Sequence, residues 1–403
     1  MKEIFLSERN TFFSSFAAAL SAFFCFVSYE LFRSSSESVF LSLYSATDKI
    51  YALAYVPLFL IFAILLYSYL LNKYGPHLTS LLCFVLSAFA MFIFYIGCKR
   101  GISFFVFSVL VFKEAYIVIL SELYWSYINS ILTLKQARLL NGYIAGFGAS
   151  GSIVGGYLVF KLAYFFSGEF LFILSAISLS IAAFVMHIAY RIKKPSFSSA
   201  TSLISSVNTI RKNGVLKILF WSVFISQVIS TFADLNFTEH LKSEITFKDS
   251  RTAYLGLFWT YVNIFSFTFQ FLLTPILLKN ISPTLILVFV PCIHILTSSY
   301  AFILPSLFSA SIVFLLFKSI DYSLYRASKE TLYIPFCDDV RFKAKQIIDA
   351  FNYRFAKGFV SFLLSFISYR GLNIFPFLTP SVVILSSIWA FMMNRIRNLV
   401  FGR

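Results

Sequence analysis

The chain is poor in charge. Only 12% of its 403 residues are Asp, Glu, Lys or Arg, whereas soluble domains carry about 25%. Acidic residues are scarcer still, 17 against 33 basic ones. The five cysteines, Cys25, Cys83, Cys98, Cys292 and Cys337, are scattered and form no C-x-x-C pair, so neither a disulfide framework nor a zinc site is indicated. Four histidines, His77, His187, His240 and His294, show no H-E-x-x-H or other ligand spacing and read as interfacial or packing residues. No metal and no cofactor is therefore expected. Short solenoid repeats are absent as well. These shortages together exclude a soluble globule, a disulfide-stapled secreted domain and a metal-dependent hydrolase.

What the chain has in quantity is apolar sequence, 59% of residues with 53 phenylalanines and a mean hydropathy of +0.83. Runs of roughly 17 to 25 apolar residues mark membrane helices. About twelve such runs lie near 11 to 32, 50 to 71, 77 to 97, 101 to 130, 136 to 165, 169 to 190, 215 to 239, 252 to 278, 283 to 303, 306 to 333, 345 to 369 and 376 to 394. The expectation is an all-α membrane protein with about twelve transmembrane helices in two six-helix halves. These are residues 1–190 and 215–403, joined by a basic, Ser-rich cytoplasmic linker over 191–214. The first run, with eleven behind it, reads as a retained helix rather than a cleaved signal.

Lys and Arg set the orientation. With the N-terminus inside, fifteen cations fall in cytoplasmic loops, and only Arg33, Lys49, Lys99, Arg100, Lys161, Lys242, Lys248, Arg251 and Arg370 fall outside. Positive-inside asymmetry then places both termini in the cytoplasm of a bacterial inner membrane. The net charge of +16 is accounted for by topology and anionic lipid, with no call for nucleic acid.

Six cations remain within the spans, Lys113, Lys318, Arg326, Lys329, Arg354 and Lys357, against Glu30, Glu114, Glu122, Asp234, Asp321, Glu330 and Asp349. An ionisable side chain in hydrocarbon costs from about 3 to more than 10 kcal/mol, so it survives facing protein, water or substrate. The densest group is Asp321 to Lys357, 12 charges in 37 positions. Tyr322, Arg326, Lys329 and Tyr333 repeat at i, i+4, i+7 and i+11, one face of the tenth span. Arg354 and Lys357 stand at i, i+3 on the eleventh. Guanidinium, ammonium and phenol together suit phosphate or carboxylate. The expected substrate contacts are therefore Arg326, Lys329, Lys357, Arg354, Tyr322 and Tyr333. Glu122, Glu330, Asp349, Asp321, Glu114 and Asp234 would pair with cations and gate, and internal ion pairs that only fix packing are the alternative. In the fifth span Gly142 and Gly146, then Gly151 and Gly155, have G-x-x-x-G spacing, which points to close helix packing. A phosphate loop fails there for want of a preceding strand and a following Gly-Lys.

Three segments carry a resemblance. They are SELYWSYINSILTLKQARLLNGYIAGFGASGS, DYSLYRASKETLYIPF and RFKAKQIIDAFNYRFAKG. They are similar to the plastid and bacterial ADP,ATP carrier family of the translocase type, which resembles the major facilitator fold. The resemblance matches Glu122 to an important glutamate, Lys329 and Glu330 to a Lys-Glu pair, and Lys345, Asp349 and Lys357 to the third segment's charges. It covers about a quarter of the chain. Two departures stand out: Ser36 takes the place of a lysine after the retained Arg33, and Asn236, with Asp234 two residues earlier, takes the place of a glutamate. The resemblance implies a nucleotide transporter working by alternating access, as exchanger or proton symporter, and not an enzyme. Another anionic metabolite is the nearest alternative substrate. An intramembrane lipid-phosphate enzyme is the remote one, lacking any motif for its general base.

Overall fold

The computed structural model describes residues 2–194, 213–336, 340 and 344–401. Most of the expected linker (195–212) and of the turn after the tenth span (337–339 and 341–343) lies outside the described residues. Among those described, regular structure is helical throughout. The helices are α1 (Lys2–Leu43), α2 (Ala46–Lys99), α3 (Ser103–Ile131), α4 (Leu134–Leu162), α5 (Phe170–Ile192) and α6 (Gly214–Glu244). Then follow α7 (Lys248–Asn280), α8 (Pro283–Ile303), α9 (Leu307–Thr331), α10 (Tyr353–Tyr369) and α11 (Phe375–Phe401). Helix α2 is two spans in one. Its 54 residues break at Gly75, whose φ of 72° and ψ of 174° leave the helical region, and Pro76 follows at once. A left-handed φ is open to glycine at little cost. Among the described residues ten helices are long and apolar enough to cross a membrane. The break divides α2 between the second and third apolar runs read from the sequence, and α10 with the wider turn Gln346–Asn352 before it stands at the eleventh.

One compact unit comprises residues 1–44, 58–199 and 245–263. Helix α1 is its axis, packing on α3, α4 and α5. Against α5 it lays a row of serines spaced by seven: Ser14 donates to the Ala189 carbonyl at 2.8 Å, Ser21 to that of Ala182 at 2.8 Å, and Ser28 bonds Ser175 at 2.8 Å. Small hydroxyls let two backbones approach and supply hydrogen bonds where hydrocarbon offers none. Phe32 fills the next layer, ringed by Phe94, Phe112, Tyr116 and Phe172 with centroids 4.8 to 6.4 Å away.

The glycine seam of α4 meets the same axis. A Cβ on Gly151 would lie 2.2 Å from the Phe23 carbonyl oxygen, and one on Gly155 2.9 Å from the Val27 backbone. Gly142, by contrast, faces open space, so the close approach to α1 lies at the second G-x-x-x-G pair. Replacing Gly151 by leucine is expected to lower the thermal midpoint of the detergent-purified protein by several degrees. Gly142→Leu should leave it within about one degree, because backbone at that distance must shift whereas open space need not.

The second unit comprises residues 45–57, 200–244 and 264–403. Its core is built from α6, α8, α9 and α11 around a fully buried Trp389. The indole donates to Ser222 Oγ at 2.9 Å, and Ser222 shares a 2.9 Å hydrogen bond with the Tyr325 hydroxyl. The start of α2 is fitted into this unit tightly, since a Cβ on Gly358 would meet Pro57 Cγ at 2.0 Å.

Arg33, Lys49 and Arg251, read from the sequence as loop cations on the outer side, sit in helices and are buried, so they are not loop charges. Helix α1 runs on through the segment FRSSSES, where Ser35 bonds back to the Leu31 carbonyl, Ser36 to that of Arg33 at 3.0 Å, and Ser38 donates to the Lys248 carbonyl at 2.5 Å. Hydroxyls bonded back within the helix need no water.

Candidate functional site

Helix α9 departs from α geometry at Asp321–Tyr325, where a wider, π-type turn adds a residue, and resumes at Arg326. A second such turn, Gln346–Asn352, precedes α10. Turns of this kind are uncommon and concentrate at functional positions. Both carry an acid of the Asp321–Lys357 stretch.

The two turns bring the centre of the site together. Lys329 is buried, and its Nζ donates to Asp349 Oδ1 at 2.5 Å. The Tyr333 hydroxyl donates to the same oxygen at 3.3 Å, and Tyr325 presents its ring 5.7 Å below the ammonium. Asp349 Oδ2 is buried with no hydrogen-bond partner among the described residues. Beside this pair Lys345 Nζ donates to Glu330 Oε2 at 2.5 Å, half exposed on both sides. Lys329 stands in the last turn of α9 and Asp349 in the turn entering the next span, so the pair lies at one end of two helices rather than at their midpoint. Arg326 is exposed, whereas Lys329 and Tyr333 are buried, and the single continuous face expected from Tyr322 to Tyr333 is interrupted by the π-type turn at Asp321–Tyr325 and by the turns after Thr331. Tyr322 lies under the Lys318 ammonium at 5.5 Å. Arg354 and Lys357 are half-buried on α10, one turn and two turns beyond Asp349.

Asp321 lies two turns deeper along α9 than Lys329, near the middle of the 25 residues from Leu307 to Thr331. It is 8% exposed. Its one hydrogen bond among the described residues comes from the Tyr353 hydroxyl at 3.5 Å.

The remaining acids are placed elsewhere. Asp234 on α6 accepts from Lys49 at 2.8 Å. Glu114 pairs with Lys113 at 3.3 Å, and Lys113 donates to Glu37 at 2.8 Å. Glu122 belongs to the first unit and is exposed on α3. The sequence marks Glu30 as an intramembrane acid but not the buried set it belongs to in that unit. Glu30 pairs with Arg33 and accepts from Asn263 at 3.0 Å, while the Arg33 guanidinium lies 3.4 Å over the Trp259 ring and 4.8 Å from that of Tyr29. Glu30, Arg33 and Glu37 at i, i+3 and i+7 share a face, the signal by which continuing the first span past Phe32 would have found them. The clefts of this unit are lined differently, one of about 150 Å³ by Phe59, Leu66, Tyr67, Leu86 and Phe112 without a charged group.

No protein-family model and no curated protein sequence matches the chain. Solved structures do. The chain is similar to a variant of the nucleoside transporter NupG (TM-score 0.70, 11% identity, 95% of this chain and 99% of that one). It is similar to a D-xylose–proton symporter (0.68, 14%, 95% and 97%). It is also similar to a bacterial homologue of the iron transporter ferroportin in an inward-facing state (0.68, 13%, 95% and 98%). The fold is that of the major-facilitator transporters, an all-α bundle of membrane-crossing helices.

Proposed function

We propose that this chain is a membrane transporter that carries an organic anion of the nucleotide class by alternating access. The observation that carries the reading is the Lys329–Asp349 pair, a buried cation whose carboxylate is in turn held by one lysine and one tyrosine. An incoming phosphate offers Lys329 the same charge-assisted bond that Asp349 gives it. Substrate can then replace carboxylate without leaving an ammonium bare. A ligand shifts a conformational equilibrium only through contacts that differ between states, and an exchange of partners on Lys329 is such a difference.

Position supports this. The pair sits at one helix end, where an anion arriving from water meets it first, and Arg326, Arg354 and Lys357 follow along α9 and α10. We place that end, with both termini, in the cytoplasm on the positive-inside asymmetry. The halves 1–190 and 215–403 are the moving parts in this reading. The similar structures include a nucleoside transporter, and the three segments resembling nucleotide carriers contain Lys329, Lys345, Asp349 and Lys357. The test is uptake of labelled ATP by intact expressing cells, with and without preloaded ADP. Uptake above cells carrying the Lys329→Ala variant is expected. Its absence for every nucleotide, with the wild-type protein folded in the membrane, sinks the substrate class.

A further inference from the structure

The first unit carries a groove that transport leaves unused. It lies between the second half of α2 and α5, with a volume of about 670 Å³. Phe89, Phe92, Ile177 and Phe184 wall it, and the small Ala88 and Ala176 among them leave the room. All four large side chains are exposed, as suits a surface turned to hydrocarbon.

One end of the groove is basic. Ile173, Ile177, Ser180, Phe184, His187 and Arg191 repeat at intervals of three or four residues, one face of α5. The opposite face belongs to α1, which meets Ser175, Ala182 and Ala189. Arg191 therefore stands in line with the groove, roughly 10 Å beyond Phe184 at 1.5 Å per residue. Helix α2 brings His77 to the same end, two residues after the break at Gly75. The Arg191 Nε–H donates to His187 Nε2 at 3.4 Å, so His187 carries its proton on Nδ1 and donates to His77 Nε2 at 3.0 Å. This relay uses one of the five N–H donors of the guanidinium. The other four have no partner among the described residues, and Lys194 beside them is exposed.

Nothing on the two helices neutralises this end. The sequence has no acid between Lys49 and Lys113, and none between Phe170 and Ala233. The charged groups acting on His77 are His187, Arg191 and Lys194, all basic. Acids on the neighbouring helices are placed otherwise. Glu8 belongs to α1, on the opposite face of α5, and Glu122 on α3 acts on Tyr67.

We propose that the groove and its basic end bind an anionic glycerophospholipid, with an acyl chain between α2 and α5 and the phosphate on Arg191 and Lys194. Guanidinium offers phosphate a bidentate, charge-assisted contact, and basic pockets between membrane helices suit lipid headgroups. The ammonium of a zwitterionic lipid would meet cations here and no carboxylate. A free phosphate would use the basic end and leave the groove without a role. The site lies wholly in the first unit, so it stands or falls independently of the anion reading above.

The full-length protein in detergent is titrated with phosphatidylglycerol, phosphatidylcholine and phosphatidylethanolamine, and bound lipid is counted by native mass spectrometry. Phosphatidylglycerol is expected to bind most tightly. Replacing Arg191 and Lys194 together by alanine should weaken it roughly 25-fold, about fivefold for each cation lost near a membrane surface. Both residues are exposed, so folding is not at stake. Lys99→Ala with Arg100→Ala, exposed cations at the other end of α2, should change nothing. Ser180→Phe fills the groove from its exposed wall, keeps every charge, and should also weaken phosphatidylglycerol. A photoactivatable group in the acyl chain should label residues 85–92 and 173–184. Equal binding of either zwitterionic lipid, or an equal loss in the Lys99 and Arg100 variant, overturns the headgroup assignment. Undiminished binding by Ser180→Phe, or labelling spread over other helices, overturns the groove. Displacement of the lipid by inorganic phosphate marks a free-anion site instead and overturns the lipid.

Discussion

Lys329→Ala is expected to reduce nucleotide uptake at least about 100-fold per folded molecule. A hydrogen bond to a charged group contributes about 1.5 to 3 kcal/mol, and loss of a buried ammonium also removes the attraction that draws the anion into the site. The rival account is that Lys329 only ties α9 to the turn before α10. The two readings part on the double variant Lys329→Ala with Asp349→Ala. If the pair is structural, removing both partners relieves the stranded carboxylate, and stability and transport recover together. If Lys329 receives substrate, the double variant folds better than the single one and still does not transport. Thermal midpoint and uptake are measured side by side, and recovery of uptake refutes the substrate role. Lys329→Arg provides the graded control, keeping charge while exchanging a point charge for a planar fork. It should retain part of the uptake.

Much of this site was legible in the sequence because charge in an apolar chain is conspicuous. Lys329, Asp349, Glu330 and Asp321 were marked by their cost in hydrocarbon and Tyr333 by its helical spacing from Lys329, and in the structure Lys329 and Tyr333 meet on one oxygen of Asp349. Their grouping on one face was less legible. Continuous α geometry was assumed through Tyr322 and Tyr333, and no residue in DYSLY announces the extra residue of a π-type turn. Arg33 and Lys49 were less legible too, since a charge next to serine or near a loop reads as a loop charge, and tertiary partners such as Trp259 and Asp234 show it to be buried. Helix count and order were accessible from hydropathy, since the bilayer fixes the length of an apolar run. Which serines of α1 met which carbonyls of α5 was not, although the seven-residue spacing of Ser14, Ser21 and Ser28 was visible once one knew to look.

The second large effect is expected at Lys49. This lysine is 1% exposed in the first turn of α2 and donates to Asp234 Oδ1 at 2.8 Å and to Thr238 Oγ1 at 2.7 Å. Lys49→Ala strands the Asp234 carboxylate, 15% exposed, beside a cavity of lysine size. Breaking one side of a buried ion pair costs about 3 to 5 kcal/mol, enough to lower the thermal midpoint markedly and the yield with it. Thr238 is not stranded, because its hydroxyl donates to the Asp234 carbonyl at 2.7 Å. The cost should therefore be concentrated in one carboxylate, and replacing that carboxylate should recover it. Lys49→Met combined with Asp234→Leu is expected to fold at least as well as wild type, since an apolar pair of similar volume avoids desolvating two charges. If instead the double variant remains as unstable as Lys49→Ala, the stabilisation comes from lysine packing and not from the pair. Transport by the stable double variant then separates two roles for this contact. Full activity means that the pair serves the fold alone. A stable but inactive protein means that the start of α2 must release α6 during each cycle, which an ion pair that hydrates on parting permits and an apolar contact resists.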